Sequence, residues 1–137
     1  MTVLLDVSVV VAAADRADLN HAAAAAWFGA VVEPLAIGAV TLAECEHVLQ
    51  RALGPVAADA FLGTVISGAI DLAAPTRADL ARASDLRKLA VDPRCSLADA
   101  LTVALVERLG AARVATFDRR PYALLRSVAG VPFELVP

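Results

Sequence analysis

The chain is short of the features that commit a sequence to a membrane or to an oxidising compartment. Its longest run without a charged residue, Leu19–Val32, is 14 residues and contains His21, well under the ~20 apolar residues a membrane-spanning helix needs. The opening Met1–Asp6 has no basic residue, and Asp6 interrupts its apolar stretch, so no secretory leader is read there. Cysteine is nearly absent: Cys45 and Cys95 form no C-x-x-C pattern and suit two small buried hydrophobes in a reducing compartment. The expectation is a cytoplasmic protein with no membrane contact. Aromatic residues are only 4%, and Lys88 is the one lysine among 12 basic residues.

What is present is aliphatic. Apolar residues make up 59% of 137, including 32 alanines, and mean hydropathy is +0.68. That composition is too apolar for disorder and fits one domain spanning 1–137, with a core of small side chains and close-packed helices. The net charge of −3 divides unevenly. Residues 1–70 hold seven acids and two bases, a net of −5, and residues 71–137 hold eight acids and ten bases, a net of +2. The basic half is compatible with a polyanionic partner and equally with a solvated surface.

Short apolar runs alternate with helical patterns. Val3–Leu5, Leu35–Ile37, Ile70–Ala73, Arg113–Thr116 and Pro132–Val136 read as strands,. Helices are expected over Val7–Ala14, His21–Phe28, Val40–Leu53, Val56–Ile66, Arg77–Ala90, Leu97–Leu109 and Pro121–Arg126. Thr76 and Ser96 stand as N-caps, while Gly54-Pro55 and Gly110 stand as stops. The predicted class is α/β: a short, mostly parallel sheet of four or five strands with helices on both faces. Such sheets place ligands beyond the carboxyl ends of their strands. Asp6 directly follows the first strand, and Asp118 comes two residues after Thr116.

The other acids divide by context. Asp79–Arg82 and Asp85–Lys88 are i,i+3 pairs that suit an exposed helix face, and Asp15 and Asp18 fall in a polar loop. On the third helix, Leu42, Cys45, Leu49 and Ala52 form a core stripe and Glu46 shares a wet face with Gln50. Glu44 instead lies between Val40 and Val48, where a carboxylate either reaches out to water or shares its site with a cation. Asp99 opens a helix whose residues 100–106 carry no charge. The spacing from Ser96 to Asp99 is that of a capping box, and the same first turn keeps a carboxylate ionised and available as a ligand. Asp6 either caps the helix that follows or serves the site.

Convergence of Asp6, Glu44, Asp99 and Asp118 at one sheet edge would place like charges together, which requires a neutralising cation. With oxygen donors and no His/Cys cluster, that cation is Mg²⁺ or Mn²⁺, and such ions suit phosphodiester hydrolysis. His47 gives one Glu-x-x-His spacing with Glu44, but di-iron sites of that kind lie in helical bundles and use the motif twice.

The segments LLDVSVVVAA (4–13), LAEC (42–45), SLADAL (96–101) and ATFDRR (115–120) resemble, in order and spacing, the successive motifs of PIN-domain ribonucleases, in particular the VapC toxins of toxin–antitoxin pairs. The resemblance runs from Leu4 to Tyr122. It implies that Asp6, Glu44, Asp99 and Asp118 form the acidic catalytic quartet, with Asp6, Asp99 and Asp118 as metal ligands and Glu44 as a ligand or base. Ser8 and Thr116 match hydroxyl positions that brace the acids. The implied activity is endonucleolytic cleavage of RNA. The implied partners are a cognate antitoxin and a second copy of the chain, giving a homodimer and a heterotetramer or larger with antitoxin, and reaching DNA only through the antitoxin. Some relatives carry a further acid where this chain has Arg120, which bears on whether one or two ions bind. Arg119 and Arg120 are candidate contacts to the RNA backbone.

Two further readings stand beside this one. A catalytically silent module of the same fold would bind RNA or protein without turnover. A phosphoryl-handling domain with Asp6 as nucleophile would want a second acid beside it and a lysine after a late strand, where this chain offers Ser8 and only Lys88, inside a helix. The alanine-rich second helix, ending in Trp27 and Phe28, offers a smooth face for an antitoxin helix or a second protomer, or for packing within the chain.

Overall fold

The computed structural model describes residues 1–137. Five strands and seven helices alternate in the order β1 (Val3–Leu5), α1 (Val7–Ala14), α2 (His21–Ala30), β2 (Leu35–Gly38), α3 (Ala39–Leu53), α4 (Pro55–Ile66), β3 (Asp71–Ala73), α5 (Arg77–Ala90), α6 (Leu97–Leu109), β4 (Arg113–Ala115), α7 (Arg119–Ala129) and β5 (Glu134–Val136). The strands form one sheet in the order β3-β2-β1-β4-β5, and every pairing is parallel. No helix is long and apolar enough to cross a membrane.

The apolar residues of the central strands β2, β1 and β4 are explained by burial on both faces, while the edge strands β3 and β5 are more exposed,. Successive side chains point to opposite sides, and the core divides accordingly. Val3, Leu5, Ile37 and Ala115 pack with α1–α4, whereas Leu4, Ala36 and Val114 pack with α5–α7. The charge-free stretch of α6 is buried at every position from Ala100 to Val106. It runs close beneath the end of β2, where a Cβ added at Gly38 would meet Leu105 Cδ1 at 2.9 Å. Trp27 and Phe28 are half-buried and stack edge-to-face with ring centroids 4.9 Å apart, packed on the α1–α4 side, which leaves Ala22, Ala23, Ala25 and Ala26 as the open face of α2.

Several local expectations are corrected. Helix α7 begins at Arg119, two residues before Pro121, because the first-turn N–H groups of a helix have no internal partner and proline loses nothing there. Arg119 and Arg120 therefore belong to its first turn. Ala52 is exposed and Leu42 only half-buried, so the α3 stripe is narrower than its spacing suggests. The Asp79–Arg82 pair on an open face does not form. Asp79 is buried and paired with Arg108 of α6 (Nε–Oδ2, 3.0 Å), and Arg82 pairs instead with Glu107 (3.0 Å). Asp85 and Lys88 remain exposed.

Candidate active site

The strand order reverses between β1 and β4: from β1 the chain first moves outward to β2 and β3, then returns to the other side with β4 and β5. This reversal opens a crevice beyond the carboxyl ends of β1 and β4, the usual ligand position in open parallel sheets. Here it is a cleft of about 400 Å³ lined by residues that include Asp6, Ser8, Asp18, Asn20, Glu44, Arg94, Asp99 and Asp118.

Asp6 forms the floor. It leaves β1 directly and is 6% exposed. As N-cap of α1 it accepts the Ser8 backbone N–H at a long 3.3 Å, so the residue that caps the helix also lines the cleft. Its Oδ2 also accepts the Ser8 hydroxyl (2.7 Å) and the Thr116 hydroxyl (2.7 Å), and its Oδ1 accepts the Tyr122 hydroxyl (3.0 Å). Three hydroxyl donors on one carboxylate suit its charged, acceptor-only form. Ser8 and Thr116 are themselves fixed, since the Phe117 backbone N–H donates to Ser8 Oγ and the Asp118 N–H to Thr116 Oγ1, both at 2.9 Å. The latter bond ties the position of Asp118 to the hydroxyl that holds Asp6.

The other three acids are freer. Asp99 is half-buried in the first turn of α6, where its Oδ2 accepts the Ser96 N–H (3.1 Å) and its own N–H donates to Ser96 Oγ (3.0 Å). That capping box occupies one carboxylate oxygen and leaves the other. Asp118 precedes α7 without capping it, and its side chain is exposed and makes no hydrogen bond. Glu44, on α3, is likewise exposed at the cleft and without a partner. Its carboxyl lies above the ordinary range, first because the walls remove water and then because Asp6 and Asp99 repel its charge. Asp99 is raised by burial, partly offset by Ser96, and raised further by Asp6 and Asp118. The same surroundings push the buried Cys45 thiol up to about 12, which makes it an inert core residue,.

The donor set fits a hard divalent cation. It is oxygen-only, mutually repulsive, and keeps unused lone pairs on Asp6 Oδ1, one oxygen of Asp99, and all of Asp118 and Glu44. As placed, no three of these groups close into a ready-made cage.

The four acids foreseen from the sequence thus reach one cleft, with Ser8 beside them and Thr116 beneath. Arg119 and Arg120 do not line it: Arg119 donates to the Pro137 carbonyl oxygen at the chain end, and both are exposed. Sequence reasoning missed Tyr122, whose contact with Asp6 spans 116 positions. It also missed Asp18, Asn20 and Arg94, which reach the cleft from loops with no periodic signal.

A doubly wound parallel sheet with a carboxylate-lined cleft at its switch point defines the class of α/β domain to which the molecule belongs. The particular assignment follows from comparison: the PIN domain model matches residues 3–129, and the chain belongs to the PIN-domain family. Ribonuclease VapC26 of Mycobacterium tuberculosis (strain ATCC 25618 / H37Rv) is 28% identical over 134 residues, spanning 98% of this chain and 99% of that protein. The crystal structure of M. tuberculosis VapC20, described as a Sarcin-Ricin loop cleaving toxin, matches with a TM-score of 0.78 at 21% identity, over 88% of this chain and 93% of its own. FitAcB from Neisseria gonorrhoeae matches with a TM-score of 0.67 at 17% identity, over 98% and 96% of the two chains.

Proposed function

We propose that the protein is the toxin of a toxin–antitoxin pair, a Mg²⁺- or Mn²⁺-dependent endoribonuclease working as one domain over 1–137 and silenced by a cognate antitoxin. The observation that carries the reading is the convergence of Asp6, Glu44, Asp99 and Asp118 from four separate segments on one cleft. Ribonuclease VapC26, similar over its full length, supports RNA as the substrate. FitAcB and VapC20 share the fold.

In this reading Asp6, Asp99 and Asp118 would hold the ion, which when bound would supply water activation and charge neutralisation. Ser8, Thr116 and Tyr122 lock the Asp6 carboxylate so that it meets substrate already oriented. Glu44 has no competing partner and a raised pKa, which suits a carboxylate oxygen that accepts the proton of the attacking water. The cleft is open, so a strand of RNA can lie across it. A homodimer, a heterotetramer or larger with antitoxin, a cytoplasmic location, and DNA contact only through the antitoxin complete the proposal.

The test is cleavage of total cellular RNA by purified, antitoxin-free protein with Mg²⁺, Mn²⁺ or EDTA, beside Asp6→Asn. Discrete fragments that require metal and vanish in the variant are the expected result. Binding of RNA without turnover at any Mn²⁺ concentration would instead identify a silent binding module.

A further inference from the structure

A phosphodiester entering this cleft meets five carboxylates, from Asp6, Asp18, Glu44, Asp99 and Asp118, and one cationic side chain, Arg94. We propose that Arg94 is the phosphate-anchoring residue of the cleft, gripping the RNA backbone beside the reacting group. The proposal deepens the ribonuclease reading and rests on it for the identity of the anion.

Arg94 stands on the loop between α5 and α6, and that loop is fixed at each end. The Cys95 N–H donates to the Asp92 carbonyl (3.0 Å), closing a turn. Arg87 Nε donates to the Cys95 carbonyl (3.1 Å), and Ser96 begins the α6 capping box. Within the turn, Asp92 holds Arg94 three times: Oδ1 accepts its backbone N–H (2.9 Å) and its Nε–H (3.0 Å), and Oδ2 accepts Nη2 (2.6 Å). Of the five guanidinium N–H groups, Asp92 takes two and three remain. The side chain is 53% exposed, so those donors stay open to a ligand. A planar fork held in advance by a carboxylate loses little entropy when it takes a phosphate.

No other arginine lines the cleft. Arg87, in the last turn of α5 where this loop begins, donates to the Cys95 carbonyl, and Arg119 donates to the Pro137 carbonyl. Arg120 does not line the cleft; the Arg94 contacts, with a smaller contribution from Arg120, hold the Asp92 carboxyl down at about 2. Arg94 thus supplies the one cationic side chain in a cleft otherwise lined by carboxylates. A surface ion pair with no ligand would show the same Asp92 contacts, so the test must read something such a pair does not move.

The experiment is steady-state cleavage of a labelled single-stranded RNA that the wild type cuts, across a NaCl series, in wild type, Arg94→Ala, Arg94→Lys and Arg51→Ala. Arg94→Ala should raise KM about tenfold or more with kcat changed less than about threefold, and flatten the log KM–log salt slope by about 0.7, one phosphate contact on a single strand. Arg94→Lys should keep the slope and recover only part of the KM, since lysine is a point charge rather than a fork. It also carries the test if Arg94→Ala melts early. Arg51→Ala, the same charge change on the exposed end of α3, should match wild type. A wild-type KM and salt slope in Arg94→Ala, or a loss confined to kcat, would overturn the anchor. If the wild type cuts no RNA, the ribonuclease reading falls. Anisotropy of a labelled single-stranded RNA with wild type and with Arg94→Ala, across the same NaCl series, then decides the anchor by the salt slope of binding.

Discussion

Tyr122→Phe removes one oxygen from beneath the cleft and tests how Asp6 is prepared for a cation. Tyr122 is fully buried, and burial followed by the Asp6 and Asp99 charges holds its hydroxyl far above the ordinary tyrosine pKa, so it remains a donor. Its bond to Asp6 is the single hydrogen bond on Oδ1, since Ser8 and Thr116 all act on Oδ2. A hydrogen bond to a buried charged acceptor contributes about 1.5–3 kcal/mol, against about 0.5–1.5 for a neutral one. Phenylalanine fills nearly the same volume, so the metal-free variant should lose close to the charged value. At this chain length that is a fall in Tm of roughly 5–10 °C.

A divalent cation on Oδ1 changes the comparison. With the Asp6 charge neutralised, the missing bond counts as a neutral one, and the deficit should shrink to about 0.5–1.5 kcal/mol in saturating Mn²⁺. By linkage the variant must then bind Mn²⁺ more tightly than wild type, by about 1 kcal/mol or roughly fivefold. Asp6 stays oriented through Oδ2, so loss of alignment should not reverse the sign. The assays are thermal melts with EDTA or Mn²⁺ and titration calorimetry of Mn²⁺. Equal deficits in both conditions, or weaker Mn²⁺ binding by Tyr122→Phe, would show that Oδ1 does not face the ion.

Other perturbations have definite signs. Asp99→Asn should leave the Tm in EDTA unchanged or raised, because it removes a charge that Asp6 and Asp118 oppose, and in millimolar Mn²⁺ it should lack the stabilisation expected of wild type. Arg108→Ala strands the buried Asp79; with Arg108 itself 40% exposed, the cost in urea denaturation at neutral pH should be about 2 kcal/mol, below the range for fully buried pairs. Burial pushes the Asp79 carboxyl up, but the Thr76 N–H, the Arg108 guanidinium and the Thr76 hydroxyl more than reverse this and leave it below its ordinary 3.8. Its contribution is therefore present above the unfolded pKa and lost as pH falls through the lower folded one, so the Arg108→Ala deficit should shrink towards pH ~3; a pH-independent deficit would refute the pairing. Gly38→Ala presses on Leu105 in the core and should cost about 1–3 kcal/mol by chemical denaturation.

The sheet was legible because its strands are brief, mostly apolar and punctuated by proline, glycine and capping residues, signals that act within a few positions. The quartet was legible through four local motifs, three of them anchored at a strand or helix end and the fourth, around Glu44, inside α3. What escaped detection depends on contacts across the fold. Tyr122 reads as one more core aromatic until α7 is laid beside β1. Arg94 is one arginine among 11, and only the turn closed by Asp92 and the α5–α6 packing bring it to the cleft. Glu44 was equally undecidable: its apolar neighbours at i±4 imply burial, yet Val40 is exposed, Val48 is a wall of the open cleft, and the carboxylate itself is exposed.

Asp79 and Asp99 show where local reasoning stops. Both are the third residue of a helix, and both close a capping box with a hydroxyl three positions earlier, Thr76 for α5 and Ser96 for α6. In sequence the two motifs, TRAD and SLAD, are near equivalents, and the first even shows an arginine at i+3 from its aspartate. The fold gives them opposite fates. Arg108 reaches across from the last turn of α6 to neutralise Asp79, so that acid is spent on joining two helices. Asp99 receives no cation; it faces Asp6 and Asp118, and its carboxyl moves up where that of Asp79 moves down. A helix N-terminus favours any carboxylate, so the cap cannot distinguish a structural acid from a ligand. The distinction lies in what the other oxygen meets, and only at Asp99 does it meet further negative charge that a bound cation would relieve.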